Sequence, residues 1–80
     1  MIHKEAIRII LNDIRPEYEF YEEIDFIESG MLDSFDVLTL VTELEEKFNI
    51  RINGSDILPE NFCSIKAIEN LIVKSGGIFE

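Results

Sequence analysis

Ser34 is the side chain in this sequence best placed to do chemistry. It follows Gly30-Met31-Leu32-Asp33 and precedes Phe35-Asp36, where a loop gives way to the strongest helical pattern of the chain. The first backbone amides of a helix have no partner within it, and the helix dipole is positive at that end. An anion carried on a hydroxyl there, such as a phosphodiester, is favourably placed. Serine is also a preferred N-cap residue, so the local pattern supports two roles for Ser34, a plain helix cap or an anchor for an anionic group.

Other chemistries fail on residue type. A serine hydrolase needs a histidine base, and the one histidine, His3, lies at the terminus. The single cysteine, Cys63, excludes an internal disulfide, and no Cys and His cluster offers a zinc site. Cys63 reads as a small buried apolar residue without a redox part. Asp25 to Asp36 can be laid on a calcium loop, but Ile27 falls on its third position and Asp36 takes the place of the closing Glu, so no metal site is expected. The chain is not expected to be an enzyme.

The elements that must position Ser34 follow from periodicity. Ile7, Ile10, Leu11 and Ile14 fall at helical spacing over about residues 3 to 14, and Pro16 closes that segment. From Glu17 to Asp33 the pattern dissolves into Tyr18, Phe20, Tyr21, Ile24, Phe26 and Ile27 scattered among acids, which predicts a long ordered loop pinned by aromatics. A second helix over about 34 to 48 carries Val37, Leu40, Val41, Leu44 and Phe48 as one apolar stripe, with Asp36, Thr39, Glu43 and Glu46 opposite and Asn49 at its end. Ile50 and Ile52 predict an extended connector, since no second strand is available to pair with it. Ser55 to Leu58 suits one helical turn stopped by Pro59. Ser64 caps a last helix with Ile65, Ile68, Leu71 and Ile72 on one face, ended by Gly76 and Gly77. The expected fold is all-α, a small four-helix bundle of three main helices and a short one, forming a single domain over residues 1 to 80.

Charge narrows the partners. Seventeen Asp and Glu against seven Lys and Arg give a formal net charge of -10, while 46% of residues are hydrophobic, too many for a disordered acidic tail. Such a field repels nucleic acid and anionic lipid and attracts basic protein surfaces. Between Arg15 and Lys47 there is no basic residue at all. Asp33, Asp36, Glu43 and Glu46 are the carboxylates expected to meet basic partners, and Phe35 and Leu38, off the main stripe beside Ser34, are either exposed partner contacts or, for Phe35, packing against Met31 or the last helix. No stretch approaches the roughly 20 apolar residues of a membrane span. A cytoplasmic monomer without membrane insertion is expected, and eighty residues leave little room for an enclosed active site.

The segment Gly30-Met31-Leu32-Asp33-Ser34-Phe35-Asp36, followed by a helix containing Glu43-Leu44-Glu45-Glu46-Lys47-Phe48, resembles the phosphopantetheine attachment region of the acyl carrier protein family. The similarity extends over nearly the whole chain. It implies that Ser34 holds a covalent phosphopantetheine taken from coenzyme A by a phosphopantetheinyl transferase. It further implies acyl or aminoacyl thioesters on the arm, a loading ligase, and downstream acyl-transfer enzymes with basic docking surfaces. Phe35, where fatty acid carriers usually have Leu, looks more like carriers that load amino acids, including D-alanine carriers, while Thr39 and Thr42 stand where fatty acid carriers typically have Glu and an apolar residue. The competing expectation is an acidic interaction module without a prosthetic group.

Overall fold

The computed structural model describes residues 4–76, so His3 and Gly77 lie outside it. Three α-helices, α1 (Lys4–Ile14), α2 (Ser34–Phe48) and α3 (Ile65–Lys74), form the body, and no strand occurs among the described residues. The all-helical expectation holds. Where one helical turn over Ser55 to Leu58 was expected, two 3-10 turns lie at Gly54–Asp56 and Pro59–Asn61. Pro59 opens the second of them instead of only ending the first, because its fixed φ suits a first helical position and its missing N–H costs nothing there.

Each helix is placed by its apolar face. Ile7, Ile10 and Leu11 of α1, Leu40, Val41 and Leu44 of α2, and Ile65, Ile68, Leu71 and Ile72 of α3 are all buried in one core. After Ile14 the α1 ladder gains one more bond, from the Arg15 N–H to the Leu11 carbonyl at 2.9 Å, and stops where Pro16 has no N–H to give. At the far end of α2, Asn49 adopts the left-handed conformation with φ 52°. Ser64 caps α3 by accepting from the Ala67 amide at 3.0 Å.

The long loop is held by its phenylalanines, while its two tyrosines stay exposed. Phe20 and Phe26 meet edge to face with centroids 5.0 Å apart. The Phe26 N–H donates to the Cys63 carbonyl at 2.8 Å and the Leu32 N–H returns to the Phe26 carbonyl at 3.0 Å, so the loop is stitched to the approach of α3. Gly30 turns the chain at φ +82°, a conformation that side chains other than glycine rarely adopt. Cys63 itself corrects the sequence reading: it is only partly buried, with Sγ donating to the Glu60 carbonyl at 3.3 Å, because the loop uses its backbone as an edge and leaves its side chain toward the surface.

The connector after α2 forms neither helix nor strand, and Glu45 holds it through both backbone and side chain, its carbonyl accepting from the Ile50 N–H at 3.2 Å. Glu45 accepts from the Ile52 N–H at 2.9 Å. Lys74 of α3 reaches Asp56 at 2.8 Å, and Asn61 donates to the Asp56 carbonyl at 2.7 Å. These bonds fix the 3-10 turns against α3 and bring Ile57 and Leu58 toward the start of α2.

Candidate functional site

Asp33, not Ser34, caps α2. Asp33 is extended, with φ -101° and ψ -176°, and its side chain accepts from the Asp36 N–H at 2.9 Å. Asp36 returns the bond, its Oδ2 accepting from the Asp33 N–H at 3.0 Å, which completes a capping box. Ser34 is therefore the first helical residue, and the reading of Ser34 as a cap is corrected. A carboxylate outcompetes a hydroxyl for the cap because the bond is charge-assisted and because Asp36 reciprocates it. The Ser34 hydroxyl is left exposed and makes no hydrogen bond among the described residues.

Arg15 closes this arrangement from the end of α1. Its Nε donates to Asp36 Oδ2 at 2.8 Å, its Nη2 to Asp33 Oδ2 at 3.1 Å, and its Nη1 to Glu17 at 3.3 Å. Of the acids expected to face partners, Asp36 is thus largely engaged within the chain, its side chain only 12% exposed. The hydrogen bond to Asp36 raises the pKa of Arg15, and the charges of Asp36 and Asp33 add to it. The hydrogen bond from the Asp36 amide holds the Asp33 carboxyl below the usual carboxylate range, with Arg15 contributing further.

The sign of that shift fixes a pH dependence. A depressed carboxyl stabilises the fold fully above its unfolded value of about 3.9, and the contribution disappears as pH falls through the lower folded value. The first turn of α2 is expected to stay ordered from neutral pH to about pH 4 and to loosen below it, read as faster exchange of the Asp36 amide. Loosening between pH 7 and pH 5 would show that Asp33 does not hold the turn.

Beside Ser34 lies an apolar groove of ≈ 440 Å³ between α2, the long loop and the 3-10 turns. Ile27, Leu32, Val37, Leu38, Ile57 and Leu58 line it, and Asp33 and Ser34 stand at its rim. Phe35 does not pack on Met31 or α3: it is 79% exposed, and Leu38 is 56% exposed. Both side chains stand on the open side of α2 because its core stripe points the other way. Glu43 and Glu46 are exposed but lie elsewhere, along a shallow groove shared with Ala6, Ile9, Ile10 and Asp13 of α1. Nine residues separate Ser34 from Glu43, a rise of about 14 Å along the helix. The structure therefore gathers Asp33, Phe35, Asp36 and Leu38 around Ser34 and sets Glu43 and Glu46 apart.

Sequence reasoning missed Arg15, Ile27, Ile57 and Leu58. Only Arg15 carried a signal, as the last cation before a long acidic stretch. Asp25, the first position of the calcium-loop alignment, spends its Oδ1 on the Ile27 and Glu28 amides at 3.0 and 2.8 Å, and among the described residues no cluster of three potential ligands is assembled.

The comparisons fit this geometry. The family model described as "Phosphopantetheine attachment site" matches residues 6–72. The chain belongs to the phosphopantetheine-binding carrier proteins. The carrier protein is 36% identical over 75 residues to a D-alanyl carrier protein of Leuconostoc citreum, covering 89% of this chain and 96% of that one. A solved complex of an engineered Bradyrhizobium japonicum glycine:[carrier protein] ligase with a carrier protein from Agrobacterium tumefaciens and AMP contains a chain that superposes with a TM-score of 0.77. The identity to it is 29%, covering 89% of this chain and 99% of that one. The B. japonicum ligase complexed with its cognate carrier protein and an analogue of glycyl adenylate gives a TM-score of 0.75 at 23% identity, covering 89% of this chain and 95% of that one, which supports the fold alone.

The carrier protein is not an enzyme. Its prosthetic group is a covalently bound phosphopantetheine, on which acyl or aminoacyl groups travel as thioesters. The residues fit that group: an exposed hydroxyl with no partner among the described residues stands at a helix start beside an apolar groove. No helix among the described residues is long and apolar enough to cross a membrane.

Proposed function

We propose that this single-domain chain is an aminoacyl carrier whose phosphopantetheine is attached at Ser34. The observation that carries the proposal is the transfer of the cap role to Asp33, which leaves the Ser34 hydroxyl without an internal bond at the positive end of α2. A phosphopantetheinyl transferase supplies the base that takes the hydroxyl proton. Ser34 Oγ would form the new bond to the pantetheine-bearing phosphorus of coenzyme A, and that phosphorus would lose its bond to the bridging oxygen, which leaves with adenosine bisphosphate. When bound, the arm supplies a terminal thiol, the group that holds cargo as a thioester. Cargo of the amino acid class is supported by the likeness to the D-alanyl carrier and to a carrier bound by a glycine ligase.

The partners of this reading are the transferase, a ligase that activates an amino acid as an adenylate, and a downstream acyl-transfer enzyme, met by a monomer in the cytoplasm. Asp33, Phe35, Asp36 and Leu38 form the docking mouth around Ser34, while Glu43 and Glu46 attract basic residues farther along α2. Intact mass tests the reading: coenzyme A, magnesium and a broad-range transferase should add one phosphopantetheine, and a ligase with ATP should then load a small amino acid onto the arm. A chain that stays unmodified beside a converted reference carrier would defeat it. Replacing Leu38 with Ala should slow modification severalfold while stability changes by no more than about 0.5 kcal/mol, as for an exposed site. A large fall in melting temperature with unchanged modification would make Leu38 part of the core instead.

A further inference from the structure

Asp33 and Ser34 are consecutive residues that can each cap a helix, and the two choices have opposite consequences. With Asp33 as cap, the Ser34 hydroxyl points to solvent without a bond. With Ser34 as cap, its hydroxyl would turn inward to accept from the Asp36 or Val37 amide, and Asp33 would fall outside the helix. The observed register is the first, with the Val37 N–H already bonded to the Asp33 carbonyl at 3.0 Å.

That register brings two carboxylates together. Asp33 and Asp36 exchange bonds with each other's amides at 2.9 and 3.0 Å, so their like charges face each other across one turn. Arg15 lies across both, with Nε on Asp36 and Nη2 on Asp33. The guanidinium fork spans two carboxylates at once, which a single ammonium does less well. Take the guanidinium away, and the repulsion favours the neutral cap, Ser34.

We infer that Arg15 is a positioning residue that selects the register in which α2 begins and so keeps the Ser34 hydroxyl available for modification. It touches neither the hydroxyl nor the arm and acts through Asp33 and Asp36. The inference rests on Ser34 being the attachment residue. Because loss of a cation leaves the mouth more acidic, and therefore no less attractive to a basic transferase, the effect falls on kcat and not on KM.

The test compares full-length wild type, Arg15→Gln, Arg15→Lys, the double variant Arg15→Gln with Asp33→Asn, and, as an ion-pair control, Lys4→Gln, which breaks the Lys4–Glu22 pair at the opposite end of α1. Circular dichroism confirms folding, and initial rates of transferase modification are measured across carrier concentration. Arg15→Gln should lower kcat about tenfold with KM equal or lower, and Arg15→Lys should fall between it and wild type. The double variant should return kcat toward wild type, because Asn caps as well as Asp without the repulsion. Exchange of the Asp36 amide should quicken in Arg15→Gln and slow again in the double variant. A kcat for Arg15→Gln equal to that of Lys4→Gln, or a double variant no faster than the single, would overturn the inference. Should Arg15→Gln fail to fold, Arg15→Lys takes its place, and a kcat for Arg15→Lys equal to that of Lys4→Gln would overturn the inference. Ser34→Ala run in parallel separates the two claims: phosphopantetheine on that variant would displace the attachment residue, whatever Arg15 does.

Discussion

Ser34→Ala should take up no phosphopantetheine under conditions that convert the wild-type chain completely. The effect is all or none because the substitution removes the atom proposed to form the phosphoester. The fold should barely notice. Ser34 is exposed, it makes no hydrogen bond among the described residues, and alanine is a better helix former at a first helical position than serine. Had Ser34 been the cap, the same change would have cost about 1 kcal/mol. Melting temperature therefore reads the cap assignment and intact mass reads the attachment assignment, independently of each other. An unmodified Ser34→Ala that also melts well below wild type would mean that Ser34 supports the helix as well as the arm. Modification of Ser34→Ala would place the arm on another hydroxyl.

Phe26→Ala should be among the most destabilising single changes in the chain. Phe26 is fully buried, its ring meets Phe20 edge to face at 5.0 Å, and its backbone links the loop to Cys63 on one side and Leu32 on the other. Truncating a buried Phe costs about 3–5 kcal/mol, and a single core in a domain this small rarely supplies more than about that. Urea unfolding should show the variant largely unfolded at 37 °C, with modification lost along with the fold. Phe35→Ala provides the contrast: its ring is exposed, so stability should hold within about 0.5 kcal/mol while transferase kinetics change. If the two variants lost stability equally, the assignment of Phe26 to the core and Phe35 to the surface would be wrong.

The same chemistry makes the two phenylalanines hard to tell apart without coordinates. Both sit among acids in stretches where one apolar residue looks like another. Their fates differ because Phe26 lies in a loop folded back over the helices, and Phe35 lies one position off the stripe that α2 turns inward. The helices themselves were legible, since the period of Ile7, Ile10 and Leu11, of Leu40, Val41 and Leu44, and of Ile65, Ile68, Leu71 and Ile72 is a local property that burial then uses. Asn49 at the end of α2 and Ser64 at the start of α3 were legible for the same reason, because a cap needs only its neighbours.

The serine proposed for attachment was also legible in the chain. The run from Gly30 to Asp36 ahead of an apolar helix depends on residues that are adjacent in sequence, so its meaning survives without a fold. What the tertiary structure alone decided was which of two neighbouring residues caps that helix. The choice depends on Arg15, which is eighteen residues from Asp33 and reaches it only because α1 packs beside α2. It also decided that Asp36 faces inward to a guanidinium, that Glu43 and Glu46 stand apart from Ser34, and that Ile27, Ile57 and Leu58 converge on one groove from two separate loops. Period is written in neighbours along the chain, whereas the choice between two adjacent caps, like ion pairs and grooves between elements, is written in distances that only packing sets.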